Sequence, residues 1–505
     1  MDKTEEMRSQ QLANEQNGVI AGVTLRGMLE SLLLKKDIEK AKKMFACHHD
    51  EAMAAIKYYK PELHDIMERE KKELADGGKY ETAKLTRNTP EVANITGTFF
   101  MFGNPLTLTM GNKPSEAKEL QDAFDEFKEF LSDHYFDERM FEARQITGAE
   151  TECAKIYELF TDEDNIPHIV VRNHSNGNGD MLYPLFNQHG QLVAFGLGYK
   201  LRSNTDEFNE TEEHFEVYTK HTLYHFVKTG TTELDEWQNV NGFPIDNPFD
   251  KIPVIYYNHE VDWKGSEQNL DRLEWVISKH ADTVDYFGDP YLLISQDIVA
   301  NRLAGAKEVG KVIVADDVDK SQFKFIEAPN GGDLVKDHVT ELKEDILIDT
   351  LNPDLSYKSI MGLGTLSGEA MRRIYVPGYI KRTKFAVKIY NEMIRRELNL
   401  VKTILSKYYY MNNSKKASLI ERLKIRFSYT DPFVGGIEDN TDQIQLLVAQ
   451  GAMSLYAAVQ NNRFVTDKEA EYNRLWEEKE RDMMLQAKVN AAIAAMNKSN
   501  TNQEE

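Results

Sequence analysis

Hydrophobic residues in the first 150 positions recur every three or four residues, and this spacing predicts amphipathic helices. We expect helical structure over residues 20–75 and a strong amphipathic helix over residues 115–142. The stretch Val92–Phe102 fits a helix or a strand, and Leu106–Met110 is strand-like. The apolar side of the 115–142 helix would consist of Leu120, Phe124, Phe127, Leu131 and Tyr135.

Between about residues 150 and 260 the pattern changes to short β-rich runs separated by turn residues. Such runs predict an antiparallel β domain, and Asn176-Gly177-Asn178-Gly179 predicts a tight turn within it. The predicted strands are Ala154–Phe160, His168–Arg172, Leu192–Leu201, Phe215–Thr219, Thr222–Val227 and Ile252–Tyr257.

Two further amphipathic helices are predicted, at Glu267–Phe287 and from Asp333 to about Thr350. Each has an apolar stripe on one side and carboxylates on the other, so we expect the pair to pack through the stripes and to leave the acidic sides free. The acidic sides would be formed by Asp271, Glu274, Asp282 and Asp285 in the first helix and by Asp337, Glu341, Glu344 and Asp345 in the second. Short strands are predicted between the helices at Tyr291–Ile294, Lys311–Ala315 and Phe323–Ile326.

A long helix is predicted from about Tyr379 to Tyr410, interrupted at its start by Pro377-Gly378, and a strand follows at Lys424–Tyr429. From residue 438 onward the pattern is helical. The long helix carries a local surplus of cations, which either pack against acidic elements of the same or a neighbouring subunit or face DNA phosphates. We favour internal pairing, because such a helix must also bury its apolar residues. The cations are Lys381, Arg382, Lys384, Lys388, Arg395, Arg396, Lys402 and Lys407.

A chain of 505 residues is long enough for several packed units, and its mixture of helices with antiparallel strands indicates an α+β fold. Two cysteines, Cys47 and Cys153, suit a reducing compartment such as a cytoplasm. We recognise no secretory signal and no apolar run of the roughly 20 residues that a bilayer requires. A net charge of −22 argues against a protein that grips DNA by its phosphates. It permits a protein that surrounds DNA and lets it slide, or an acidic enzyme.

Candidate metal ligands are scattered along the chain rather than grouped. The side chains of Cys47-His48-His49-Asp50 would point in different directions on a helix. We interpret His214, His221 and His225 as strand residues, and Asp162-Glu163-Asp164 and Asp316-Asp317 as turn residues. The sequence contains no phosphate-binding loop, dinucleotide fingerprint, nucleophile elbow or zinc-protease helix. We therefore predict no cofactor, no metal and no enzyme activity.

The order of several segments between about residues 50 and 480 resembles the portal proteins of tailed bacteriophages. The most specific match is Ser367-Gly368-Glu369-Ala370-Met371, which is similar to the signature that follows the tunnel loop in that family. The other matching segments are Tyr58–Ile66, Lys84–Asn88, Phe100–Leu106, Ile252–Ile255 with Asn258, Ser266–Leu293, Ile425–Phe427 with Asp431-Pro432, Ser454 and Asp467–Glu471.

The resemblance implies a ring, usually of twelve copies, around a central tunnel that passes double-stranded DNA into and out of the capsid. It implies a wing over residues 1–260, a stem helix over 261–288, a clip over 289–330, a second stem helix over 331–353, a tunnel loop over 354–368, a return to the wing over 369–437 and a crown over 438–505.

The same resemblance assigns residues to the tunnel. Paired stem helices would turn Asp337, Glu341, Glu344 and Asp345 toward the bore, where they would repel phosphate and leave DNA without a deep binding minimum. The tunnel loop would present Tyr357, Lys358, Ile360, Met361, Leu363 and Thr365, and the family signature would be Ser367, Gly368 and Ala370.

The implied partners are further copies of the chain, double-stranded DNA, the large terminase, a head-completion or adaptor protein, and the major capsid and scaffold proteins, with no membrane. The implied location is the portal vertex of the virion after assembly in the host cytoplasm. Two alternatives remain open, another structural protein of the virion and a magnesium-dependent enzyme that uses the acidic clusters.

Overall fold

The computed structural model describes residues 24–73, 79–161, 167–202, 211–229, 236–288, 292–295, 312–315, 324–325, 332–354, 374–432, 444–461 and 468–501. By their internal contacts the residues form two units, one comprising 1–364 and 373–432 and the other comprising 365–372 and 433–505. The mixture of helices and sheets confirms the α+β class. No helix in the described part of the chain is long and apolar enough to span a membrane.

The N-terminal region consists of short helices, as its apolar spacing predicts. These are α1 (Leu25–Leu34), α2 (Ile38–Lys42) and α3 (His49–Tyr59), followed by 3-10 turns at Pro61–Leu63 and Asp65–Glu68 and by strands β1 (Lys72–Glu73) and β2 (Lys79–Tyr80). The first two helices bury Leu29, Leu33 and Ile38 against Tyr183 and Phe215 of a β-sheet.

The stretch that fitted a helix or a strand is helix α4 (Thr89–Phe102), with Pro90 in the first turn, where a missing N–H costs nothing. The strand predicted after it is β3 (Thr107–Met110).

The single helix predicted over residues 115–142 is wrong. The structure has two helices, α5 (Pro114–Asp133) and α6 (Phe136–Glu150), separated at Tyr135, which has a φ of 53° and is exposed. The buried stripe of α5 ends at Leu131, and the next buried positions, Phe136 and Met140, are out of phase with it. A break in the helix lets both sets of apolar side chains reach the core.

The β-rich region forms two antiparallel sheets. The strands are β4 (Glu152–Thr161), β5 (Pro167–His174), β6 (Met181–Phe186), β7 (Leu192–Arg202), β8 (Thr211–Thr219), β9 (Thr222–Thr229), β10 (Gln238–Asn239), β11 (Ile245–Asp246) and β12 (Val254–Asn258). One sheet has the order β10-β9-β8-β7-β6, with β11 also paired to β9, and the other has the order β12-β4-β5. The six strands predicted here are confirmed. Strand β6 was missed because Pro184 interrupts its pattern, and a proline is tolerated there because β6 is an edge strand.

The helix pair is confirmed as α7 (Glu267–Gly288) and α8 (Gly332–Asp349). The predicted strands between them are β13 (Leu292–Ser295), β14 (Val312–Ala315) and β15 (Lys324–Phe325). Strand β13 pairs with β14 in parallel and with β15 in antiparallel orientation.

The long helix, α9, begins at Val376 and places Pro377 in its first turn, so the proline starts the helix rather than interrupting it. Its α-helical segments Val376–Phe385 and Asn391–Ile404 alternate with π-helical segments Ala386–Tyr390 and Leu405–Tyr409. Helix α10 (Ser414–Arg422) and strand β16 (Ile425–Ser428) follow, and β16 pairs with β3. The apolar side of α9 is buried in the largest core with β4, β12, α5 and α6.

The described residues of the second unit are mainly helical, as predicted. Residues 444–449 are helical, and α11 (Leu455–Asn461) and α12 (Lys468–Thr501) follow. Tyr456 and Tyr472 meet edge to face at 5.0 Å within this unit.

Candidate functional site: a helix pair and its buried polar base

Helices α7 and α8 pack through their apolar stripes and onto the residues that precede α7. Trp263 is fully buried at the base of the pair and stacks on Tyr59, with ring centroids 6.0 Å apart. The indole of Trp263 is held between α3 and the helix pair. Its packing therefore fixes the direction of α7 relative to α3. The shared apolar cluster contains Ala55, Val261, Trp263, Leu270, Leu273, Leu342 and Ile346.

The polar side of α7 is covered by the extended segment 81–88. From Ala83 to Arg87, every second backbone N–H of that segment donates a hydrogen bond to a polar side chain of α7. The acceptors, which we call the α7 ladder, are Glu274, Ser278 and Asp282. The donors are the N–H groups of Arg87 to Glu274 Oε1 (2.7 Å), Leu85 to Ser278 Oγ (2.9 Å) and Ala83 to Asp282 Oδ1 (2.7 Å).

The spacing of the α7 ladder matches the spacing of an extended chain. Four residues of an α-helix rise about 6.0 Å, and two residues of an extended chain span roughly 6.6 Å. A side chain at every fourth helical position therefore meets every second N–H of a chain that runs antiparallel to the helix. The extended segment satisfies its N–H groups on a helix rather than in a sheet.

Two cationic side chains complete the α7 ladder. His64 Nδ1 lies 2.7 Å from Glu274 Oε1, and its Nε2 lies 2.7 Å from the carbonyl oxygen of Tyr58. Arg69 forms an ion pair with Asp282, and both side chains are buried. Burial opposes the charged form of His64, but the bonds to Glu274 and Tyr58 outweigh it and raise the pKa of His64.

The expectation that the acidic side of α7 stays free is therefore wrong for Glu274 and Asp282, each of which is nearly inaccessible. Their carboxylates fold the N-terminal region onto the helix. Asp271 and Asp285 remain exposed, and Asp271 Oδ2 accepts a hydrogen bond from the hydroxyl of Tyr58 (3.1 Å).

The acidic residues of α8 remain on the surface. Asp337, Glu341, Glu344 and Asp345 are all exposed, whereas Leu342 and Ile346 are buried on the opposite side. Two large apolar side chains stand on the exposed side as well, Leu334 with 77% and Ile348 with 70% of its surface accessible. The exposed side of α8 thus combines negative charge with apolar surface in a single chain.

A buried ion pair lies immediately before α7. Arg144 of α6 and Asp262 are both fully buried, and the guanidinium meets the carboxylate through two bonds, Nη1–Oδ2 at 3.0 Å and Nη2–Oδ1 at 2.7 Å. Burial alone would raise the pKa of Asp262, but the charge of Arg144 outweighs it and lowers the pKa. Gly148 lies against both side chains, where a Cβ would come within 2.4 Å of the guanidinium.

Lys381 of α9 reaches into the same buried region. Its Nζ donates to the carbonyl oxygen of Ala93 (2.8 Å) and lies 3.3 Å from Asn352 Oδ1 and 3.8 Å from Asp262 Oδ1. Burial lowers the pKa of Lys381 to about 8. Asp262 precedes α7, Asn352 follows α8 and Lys381 belongs to α9. One polar cluster therefore links the start of α7 and the end of α8 to the first part of the long helix. We call Arg144, Asp262, Asn352 and Lys381 the polar base.

The residues assigned to the tunnel loop and to the family signature lie outside the described part of the chain. Asn352 before these residues and Lys381 after them are described, and their side chains meet in the polar base. The residues concerned are Tyr357, Lys358, Ile360, Met361, Leu363, Thr365, Ser367, Gly368 and Ala370, and the acidic clusters Asp162-Glu163-Asp164 and Asp316-Asp317 also lie outside.

Several cations of α9 have partners within the protein, and the favoured interpretation, pairing with acidic residues, is confirmed for Lys384, Lys388 and Lys407. Lys384 and Lys388 pair with Glu260, and Lys407 pairs with Asp250 at 2.8 Å. Lys381 belongs to the polar base, and Lys402 donates to backbone carbonyl oxygens.

The histidines do not converge. His214 Nδ1 lies 3.0 Å from His225 Nε2, whereas His221 pairs with Asp250 and His49 bonds to Asn176. Across the described ranges, no three His, Cys, Asp or Glu side chains form a group that could hold a metal ion.

Sequence reasoning missed the polar base and a second buried pair, Lys155 with Glu397 (2.9 Å), which joins β4 to α9. One signal was available for Arg144, since it stands at helical spacing among Met140, Ala143 and Thr147, all of which are buried. A charge on an apolar stripe indicates a buried partner. The identity of that partner, 118 residues away, is not visible in such a pattern.

The family model for phage portal proteins, SPP1 Gp6-like, matches residues 42–484. No curated protein matches the chain. The matched range includes α7, α8, the polar base and α9 and spans most of the 505 residues. The chain therefore belongs to the phage portal protein family of the SPP1 Gp6-like type.

Proposed function

We propose that copies of this chain close into a ring at one capsid vertex and that double-stranded DNA passes through the central tunnel during packaging and ejection. Membership of the portal family supports the role, since that family is structural and belongs to phage particles. The ring, usually of twelve copies in this family, makes this a homo-oligomeric channel rather than an enzyme.

The exposed acidic side of α8 is the observation that carries this proposal. Helix α8 has six carboxylates against two lysines, and its predicted lining residues Asp337, Glu341, Glu344 and Asp345 are accessible. Because Glu274 and Asp282 of α7 are held by internal bonds, α8 would supply more of the negative lining than α7, on which Asp271 and Asp285 stay exposed.

A negative wall suits movement better than attachment. Two unit charges 4 Å apart in water interact by about 1 kcal/mol, and screening limits the effect to about 8 Å at physiological salt. DNA near the wall is repelled weakly, and it finds no cation row in which it would stop at each step.

The tunnel loop would project from the polar base. Asn352, two residues before this range, lies 3.3 Å through its Oδ1 from the Nζ of Lys381, which belongs to the first part of α9 after it. Tyr357, Ile360, Met361 and Leu363 would offer bulk to the DNA, Lys358 a single cation, and Thr365 a small polar side chain.

The remaining regions are assigned by family resemblance. The wing, stem, clip and crown take the ranges given above, and the strands β13 to β15 would form the clip that faces the terminase motor. A head-completion or adaptor protein would follow the motor, and capsid and scaffold proteins would surround the ring during assembly in the host cytoplasm.

Electron microscopy of the purified chain tests the ring directly. We expect rings with an axial opening. A persistent monomer at all concentrations, or closed particles without an opening, would contradict the proposal.

Reversal of charge tests the lining. The triple variant Glu341→Lys/Glu344→Lys/Asp345→Lys should assemble and should slow DNA packaging in vitro, because phosphates would then find cations at each step. The matched control reverses three exposed carboxylates of α12, Glu477, Glu478 and Glu480, and should package at the parental rate. Equal packaging rates in both variants would mean that α8 does not line the channel.

A further inference from the structure

A groove lined by cations and without carboxylates runs between α9 and strand β16. Its volume is about 790 Å³, and none of the described residues that line it is acidic although the chain carries a net charge of −22. The cations are Arg395 and Lys402 from the helix and Lys424 and Arg426 from the strand. Across the described residues, Arg395, Lys424 and Arg426 form no ion pair, unlike Lys384, Lys388 and Lys407 of the same helix.

One edge of β16 faces this groove, and its backbone groups have no hydrogen-bond partner among the described residues. The N–H of Gly111 donates to the carbonyl oxygen of Lys424 (2.5 Å), and the register pairs Arg426 with Thr109. Because hydrogen-bonded and non-bonded pairs alternate in an antiparallel ladder, the N–H and C=O groups of Ile425 and Phe427 point away from β3.

The side that these groups face is the side of α9. Lys402 Nζ donates to the carbonyl oxygen of Leu423 (2.7 Å), which precedes Ile425 by two residues and so faces the same way. In the described part of the chain, no hydrogen bond reaches the backbone of Ile425 or Phe427 from that side.

The two faces of β16 differ in chemistry. Lys424 and Arg426 are exposed on one face, whereas Ile425 and Phe427 pack partly against the core on the other. An added strand would share this alternation, so its side chains would meet cations and apolar surface in turn.

We propose that this groove binds an extended acidic peptide segment of a partner protein, which adds to β16 as a third strand. The carboxylates of the segment pair with Lys424, Arg426 and Arg395, and its backbone bonds to Ile425 and Phe427. A nucleic acid would match the cations but not the edge, because phosphates accept hydrogen bonds and cannot donate to the carbonyl oxygens of Ile425 and Phe427. The proposal does not depend on the role of α8 in the channel.

The first experiment uses a fluorescent peptide in which glutamate and valine alternate, titrated into the full chain. We expect saturable binding and slower amide hydrogen exchange at Ile425 and Phe427. A peptide in which proline replaces every valine keeps the charge but loses those N–H groups, and it should bind at least about tenfold more weakly. Equal affinity of the two peptides would overturn the strand addition.

The second experiment removes the charges. The variant Lys424→Gln/Arg426→Gln should weaken binding of the glutamate–valine peptide by about tenfold or more, because two charge-assisted contacts are lost. The control Lys35→Gln/Lys415→Gln removes two exposed lysines elsewhere and should bind as the parent does. Both pairs are exposed, so thermal melting should show that all variants fold.

A short DNA duplex is the competing ligand. If the duplex binds through Lys424 and Arg426 while the amides of Ile425 and Phe427 stay unprotected, and the peptide does not bind, the groove is a nucleic-acid site and the proposal is wrong. Absence of binding by both ligands would also overturn it.

Discussion

Helices α7 and α8 share one sequence pattern and differ in what becomes of their carboxylates. Each has an apolar stripe that packs against the other, and each has acidic residues on the remaining surface. In α7, Glu274 and Asp282 are buried and accept backbone N–H groups. In α8, Asp337 and Glu341 are exposed.

The difference teaches that an acidic helix face has two uses. It forms a repelling wall when it meets solvent or a polyanion, and it forms a row of acceptors when an extended chain lies along it. Amphipathic spacing is the same in both cases. A polar residue at every fourth position of α7, including the neutral Ser278, is the feature that suits the second use.

Removal of a charged acceptor from the α7 ladder should have the largest effect on the free energy of unfolding. Asp282→Ala leaves Arg69 buried without its carboxylate and the N–H of Ala83 without its acceptor, so we expect a loss of about 3–5 kcal/mol in the free energy of unfolding. Glu344→Ala on the exposed side of α8 is the control and should change stability by less than about 0.5 kcal/mol. Urea denaturation of the full chain measures both, and similar losses would abolish the distinction between the helices.

Removal of the uncharged acceptor of the α7 ladder should have a smaller effect on the free energy of unfolding. Ser278→Ala leaves the N–H of Leu85 without a partner in a buried place and should cost about 1–3 kcal/mol. Thr340→Ala on α8 removes a hydroxyl that is exposed and bonds to its own helix, and we expect no measurable loss. An unchanged free energy of unfolding in Ser278→Ala would mean that water replaces the hydroxyl and therefore reaches the α7 ladder.

A change in pH should act more weakly still, because it removes one proton from a partner of Glu274 and leaves the backbone bond to that carboxylate in place. The pKa of His64 is raised in the folded state above its ordinary value of 6.5. Its contribution to stability is therefore fully present below about pH 6.5 and is lost as pH rises through the raised pKa. His64→Gln should flatten the decline in urea midpoint that begins as pH rises above about 6.5. Thr340→Ala on α8, which removes no titratable group, should keep the parental decline, and an unchanged decline in His64→Gln would exclude this assignment.

The smallest effect is expected where the helix face is free. Neutralisation of α8 by Asp337→Asn, Glu341→Gln or Glu344→Gln should change the free energy of unfolding by less than about 0.5 kcal/mol each, since the side chains are exposed. A loss above about 2 kcal/mol would indicate a buried contact in the assembled protein. Melting temperatures at several protein concentrations would separate that contact from a contact within one chain.

Much of the fold was predictable because local patterns carried it. Short β-rich runs bounded by turn residues located the strands β4, β5, β7, β8, β9 and β12, and three- to four-residue spacing located α7, α8 and α9. The errors occurred where the local pattern conflicts with packing. Tyr135 continues the stripe of α5 in sequence, but burial of Phe136 and Met140 requires a break there.

The candidate site was less predictable. Exposure of the α8 carboxylates agreed with their spacing, whereas burial of Glu274 and Asp282 did not. The polar base was not predicted because Arg144, Asp262 and Lys381 lie far apart in the chain, and the residues next to each of them do not identify its partner.

The amino-acid sequence by itself determined the elements of this protein, its acidic balance and its resemblance to phage portal proteins, because spacing and residue type act over a few neighbouring positions. The tertiary structure alone decided which carboxylates are buried and which cations form no ion pair among the described residues. Both depend on segments far apart in the chain, since His64, Ala83 and Leu85 reach α7 and not α8. The cost of burying a charge is met by a specific partner in space, and periodicity along the chain carries no record of that partner.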